Sequence, residues 1–202
     1  MSKAQLSQSH LHNALSYDEY RLMHKDLVNQ NRSTGPNQDE MHVNFTKLNH
    51  KRMERLEKTV ALDPELLALL NQITKKQTWV VLTETWCGDA AQNIPIIDKM
   101  ANHVSKINLK LLLRDDNPEL IDAYLTNGAR SIPKLIAIDY DFNELFVWGP
   151  RPKLAQQFLI QLMNGENKDK NYWMIEIQKW YNADNSASIQ KEFFEILTQQ
   201  QQ

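Results

Sequence analysis

"TWVVLTETWCGDAAQNIP", Thr78–Pro95, decides how the rest of the chain is read. Its opening run is short, apolar and β-branched, the pattern of a central strand covered on both faces. The run ends near the only cysteine in the sequence, Cys87, set between Trp86 and Gly88. Ala90 to Val104 then carries a helical pattern. A cysteine at a helix start lies beside unpaired amides and the positive end of a dipole, which lower a thiol pKa from about 8.5 toward about 7. Thiolate, not thiol, attacks a disulfide, so the position suits redox chemistry. One helical turn on, where a partner sulfur would stand, the residue is Ala90.

Downstream, "INLKLLL" (107–113) reads as a second strand and "NPELIDAYLTNG" as a helix capped by Asn117, with Pro118 at its start and Gly128 at its end. "KLIAID" and "ELFVW" are two strands joined through "YDFN" as an antiparallel hairpin, and a helix from about Lys153 to Met163 follows. The βαβαβ alternation predicts parallel pairing through right-handed crossovers. Beyond "NGENKDK", "NYWMIEIQKWY" and "SIQKEFFEILTQQ" predict two further helices and a fraying glutamine tail.

Upstream, "SYDEYRLMHKDLVNQN" places Ser16 and Glu19 at capping-box spacing ahead of a helix. The polar loop "NRSTGPNQDE" is the expected mobile connection. A second helix is predicted from about Asn44, packing through Phe45, Leu48 and Leu56, and a third starts with Asp63 as cap and Pro64 at its first position. No strand is predicted ahead of Thr78.

The chain has 202 residues and a formal charge of -2. That balance gives no global field for nucleic acid or anionic lipid. Lys47, Lys51, Arg52, Arg55 and Lys58 make a basic stripe, but Glu54 and Glu57 interrupt it. It reads as a solvated helix face. Neither a secretory signal nor a membrane-spanning stretch is predicted. A single free thiol is most easily kept reduced in a cytosol, so the expected location is cytoplasmic. No ligand spacing for a metal occurs among the histidines.

Taken together, "WCGDA" after a buried strand, Pro95 eight positions past Cys87, and "RSIPKLIAID" before a hairpin resemble the thioredoxin family. The resemblance covers roughly Gln77 to Gly165, with Trp86, Cys87, Gly88, Pro95, Pro133 and Gly149 at the family's positions. "WCGDAAQ", "TNGARSIPKLI" and "WGPRP" are similar to a bacterial branch of thioredoxin-like proteins with long helical flanks, which implies a fold and not an established activity. The implied architecture is an α/β thioredoxin-like fold, a four-stranded mixed sheet flanked by helices, with extra N- and C-terminal helices. Its expected strand order is 108 to 114, 78 to 83, 133 to 139 and 143 to 148, the last two antiparallel to their neighbours. The expected division is residues 1–76 as a helical extension packed on the core, 77–165 as the thioredoxin-like domain and 166–202 as a C-terminal helical extension.

The resemblance makes Cys87 the attacking thiol, with Trp86, Gly88 and Asp89 around it and Ile132 and Pro133 as the substrate-facing loop. In the family that proline is cis, which exposes the Ile132 backbone to an extended peptide or a tripeptide thiol. Asp89 and Glu84 oppose a thiolate at Cys87, and Arg114 and Arg151 are the candidate counterweights. Three departures stand out: Ala90 replaces the resolving cysteine, Val81 a buried acid, and Leu111 the lysine paired with that acid. All three remove dithiol exchange. The expected function is a monothiol oxidoreductase acting on protein or small-molecule disulfides, with no tightly bound cofactor and a low-molecular-weight thiol as co-substrate. The alternative is a redox-inactive peptide-binding module on the same surface.

Overall fold

The computed structural model describes residues 6–200. Four helices precede the sheet: α1 (Gln8–Asn13), α2 (Tyr17–Asn29), α3 (Glu40–Thr59) and α4 (Pro64–Leu70). The core runs β1 (Gln77–Thr83), α5 (Gly88–His103), β2 (Ile107–Leu113), α6 (Pro118–Ala123), β3 (Lys134–Asp139), β4 (Glu144–Trp148) and α7 (Lys153–Asn164). Two helices close the chain, α8 (Lys170–Asp184) and α9 (Ala187–Gln199).

The strands lie in the order β2-β1-β3-β4, as the family resemblance implies. β1 and β2 are parallel, with Val81 opposite Leu111. β3 is antiparallel to β1, and β4 is antiparallel to β3. The parallel pairing expected from the alternation holds for β1 and β2, and β3 and β4 run antiparallel to their neighbours as the expected order has them. With 6 residues, α6 spans only about 9 Å, well short of the roughly 23 Å of a seven-residue strand. The chain therefore re-enters from the end of the sheet at which β2 finished, on the far side of β1, and runs back as β3.

Other expectations are corrected by burial and capping. α1 was not anticipated, and Leu15 just after it forms an isolated antiparallel bridge to Leu111 on the open edge of β2. α3 begins a turn early because Asp39 caps it, accepting the His42 amide at 2.8 Å. Its packing face is Thr46, Asn49, Met53 and Leu56, while Leu48 is exposed. α6 ends at Ala123, since residues 126 and 129 close a bridge of their own before Gly128 can serve as a helix stop. Gln200 does not fray: its side chain donates to the Leu145 carbonyl. The rest of the expected tail lies outside the described residues.

The main apolar core joins the sheet to the N-terminal helices, α5 and α9, and a smaller group of Ala155, Ile177 and Tyr181 holds α7 against α8. Trp79 on β1 is fully buried against Phe146 of β4 and Phe193 of α9, and Tyr20, Met53 and Leu66 from the N-terminal helices belong to the same cluster.

The loop between α2 and α3, expected to be mobile, is tied to the end of β1 instead. Thr34 and Thr85 exchange amide-to-hydroxyl hydrogen bonds at 3.2 and 3.0 Å, Ser33 bonds Thr46, and Thr46 bonds Thr85. Asn49 donates to the Thr85 carbonyl at 2.9 Å. Buried polar groups must be paired, so this network fixes the segment leading into Cys87.

Behind it His24 is fully buried, its Nε2–H donating to the Thr46 carbonyl at 2.9 Å. Burial lowers its pKa from 6.5 to about 4. The folded protein thus refuses a proton that the unfolded chain accepts between those values, so this contribution is complete above pH 6.5 and is lost as pH falls. Asp98, raised to about 7 chiefly by burial, acts in the opposite sense. His24→Gln isolates the histidine: the stability advantage of the native protein over this variant should shrink by about 3 kcal/mol between pH 7 and pH 4. Urea titrations across that range measure it.

Candidate functional site

β1 delivers Cys87 to the start of α5, where it serves as the N-cap. Its Sγ accepts the Ala90 amide at 3.4 Å, and its S–H donates to the Ile132 carbonyl at 3.3 Å. The Ile132–Pro133 bond is cis, as the resemblance implies, and so is Gly149–Pro150. The thiol is only 8% exposed. Its pKa is pushed up to about 12, first by burial and then by the Asp89 carboxylate, against the amides of residues 89 and 90 and Arg151. The acidified thiol that the sequence suggests is corrected: desolvation of the charged form outweighs the helix start.

Asp89 is the hub of the rim. Its carboxylate accepts from Arg151 Nε at 3.1 Å and from the Tyr181 hydroxyl at 2.7 Å. Arg151 is therefore bound to the acid and reaches the sulfur only through its field. Arg114 is held by Asp115 at 2.7 Å and lies 4.9 Å over the Trp86 ring, so its charge is engaged there and it braces the rim. Glu84 is fully buried, accepts the Asp115 amide at 2.9 Å, and is raised by that burial. Val81 and Leu111 are both buried and paired across the sheet, a dry contact where the family has its acid and lysine.

The flanking helices complete a cavity of about 820 Å³ over Cys87, Trp86, Gly88, Asp89 and Ile132. α3 contributes Met41, Phe45 and Arg52, and α8 contributes Trp173, Met174 and Ile177. α8 is pinned there by Gln178 to Gln92 at 2.8 Å and by Tyr181 to Asn93 at 3.1 Å. Pro133 is not among the residues lining the cavity, while its neighbour Ile132 is.

Arg52 is the residue that sequence reasoning misplaced. It belongs to the face read as solvated, yet Nη1 donates to Asn49 Oδ1 at 2.8 Å and lies 3.6 Å from where a Gly88 Cβ would stand. The available signal was its position seven residues after Phe45 and three after Asn49, which shares their face.

A family model described as thioredoxin matches residues 35–168. The fold is also similar to the crystal structure of PA1234, a protein of unknown function from Pseudomonas aeruginosa. That match is 18% identical with a TM-score of 0.56, covering 91% of this chain and 98% of that one. An HIV epitope-scaffold is similar at 17% identity and a TM-score of 0.55, with the same shares covered, 91% and 98%. No curated protein matches the chain. At these identities the structural likeness concerns the fold alone.

Proposed function

Because this chain belongs to the thioredoxin family, we propose that it is a member turned from disulfide exchange to binding, a module that holds a peptide segment over a protonated Cys87. The observation that carries this is the thiol itself: buried, raised to about 12, and hydrogen-bonded to the Ile132 carbonyl. At neutral pH only about one thiol in 10⁵ is ionised for such a value. The Ile132 amide has no acceptor among the described residues. It is a free main-chain donor beside the cavity, of the kind that pairs with an extended peptide. No helix among the described residues is long and apolar enough to cross a membrane.

The Ala90 amide on Sγ and the nearby Arg151 favour a second reading, the monothiol oxidoreductase. There the Cys87 thiolate attacks one sulfur of a disulfide, the S–S bond breaks, and the other half leaves as thiolate. A small thiol, once ionised, then attacks the mixed disulfide and returns Cys87 as thiolate.

Turnover separates the two. With a small mixed disulfide and excess thiol, the wild-type protein should release product no faster than Cys87→Ser. Sustained turnover lost in Cys87→Ser would establish the oxidoreductase and remove the binding reading.

A further inference from the structure

The geometry points to Arg52 as the anchor for a carboxylate on the bound peptide, with large apolar side chains of the same peptide filling the walls on either side. This rests on the peptide-binding reading above and specifies the ligand.

Charge pairing singles out Arg52 among the arginines of the cavity; Lys170 lines it too, but as an exposed side chain at the first position of α8 that nothing among the described residues holds in place. Arg114, Arg130 and Arg151 line the cavity too, but each is held by a carboxylate, from Asp115, Asp122 and Asp89 respectively. Asp89 is the one carboxylate among the lining residues, and Arg151 and Tyr181 already occupy it. Arg52 has no carboxylate partner among the described residues. It is not loose: Asn49, itself fully buried, bonds the Thr85 carbonyl with its amide and receives Arg52 with its oxygen. That chain fixes one guanidinium nitrogen beside Gly88 and leaves the other N–H donors of the fork open. A Cβ at position 88 would press on Gln178 Nε2 at 3.0 Å and only touch Arg52 at 3.6 Å, so the glycine leaves room beside the guanidinium.

One open guanidinium fork matches one carboxylate in bidentate geometry. A phosphate would call on the neighbouring arginines, which are already neutralised. Cys87, kept as a neutral thiol, adds no opposing charge. The rest of the lining fixes what accompanies the acid. Phe45 and Met41 stand on one wall and Trp173, Met174 and Ile177 on the other, with Met41 and Met174 at 52% and 37% exposure. Methionine walls adapt to varied apolar shapes, so the peptide is specified by an acid at one point and by bulk around it. The acid can be an Asp or Glu side chain or a free C-terminus, the same chemistry from two sources.

The test is selection of random 12-residue peptides on the intact protein, from one display library with free C-termini and one with blocked C-termini. Enriched peptides should carry a carboxylate near large apolar residues, and enrichment confined to the free-terminus library assigns the terminal carboxylate. Synthetic versions should bind Arg52→Gln at least about tenfold more weakly, Arg52→Lys to an intermediate degree, and Arg55→Gln, on the exposed face of the same helix, as tightly as wild type. Enriched peptides without an acid, or acidic ones indifferent to Arg52→Gln, overturn the carboxylate anchor and leave peptide binding standing. No enrichment in either library overturns the peptide-binding reading and the anchor with it.

Discussion

Gly149→Ala should unfold this protein more readily than any other single methyl addition near the site. Gly149 has φ +111, a conformation L residues rarely adopt, and an added Cβ would lie 2.2 Å from the Pro133 carbonyl oxygen. Both groups are main chain, so no rotamer relieves the overlap. Trp148 is paired with Leu135 across the hairpin, and neither strand can retreat without losing ladder bonds. The expected cost is about 3 kcal/mol or more, a fall in Tm of roughly 6–12 °C for a chain of this size. Because Pro133 must shift, peptide affinity should fall along with stability. Calorimetry measures the first effect, and a Tm within about 2 °C of wild type would contradict the close approach of these two loops.

Asp89→Asn should make Cys87 more reactive while making the fold weaker. The Asp89 charge is the second-largest influence raising the Cys87 pKa, after burial. Removing it also frees Arg151, whose field favours the thiolate. Each unit of lowering gives tenfold more thiolate, partly offset by weaker intrinsic nucleophilicity, for a net gain of about threefold in alkylation rate per unit. The variant leaves the nearly buried Arg151 without its carboxylate and the Tyr181 hydroxyl with a poorer acceptor, at a cost of about 3 kcal/mol. Iodoacetamide kinetics at pH 8 and urea unfolding measure the two effects. A gain in rate that merely follows the unfolded fraction would mean that Asp89 guards the thiol by packing and not by charge.

How much of this was legible in the sequence depends on the kind of interaction. β1, the strand order, the cysteine at the helix start and the loop of Ile132 and Pro133 are written in apolar patterning and in residues with strong backbone preferences. The environment of Cys87 is not. Its burial comes from α3 and α8, which lie far away in sequence, and no local pattern states that Tyr181 will reach Asp89. The basic stripe on α3 illustrates the limit: Lys51 and Arg55 are exposed as expected, but Arg52 turns inward because Asn49, buried beneath it, offers an acceptor. The loop from Asn31 to Glu40 misled for a similar reason. Its composition is that of a linker, but Ser33 and Thr34 find buried hydroxyl partners on α3 and at Thr85. A short helix such as α1 is marginal on its own and takes its order from neighbours, including the bond from His10 to Glu119. Polar pairs across distant segments decide these features, and hydrophobic periodicity does not record them.

The measurement closest to the central claim is the pH dependence of Cys87 alkylation in the native protein. A thiol held at about 12 by burial and Asp89 should react slowly at neutral pH, and its rate should keep climbing through pH 10 with no plateau. A rate that levels off with a midpoint at or below about 8.5, the value of an ordinary free thiol, would contradict the account and return Cys87 to the role of an activated nucleophile.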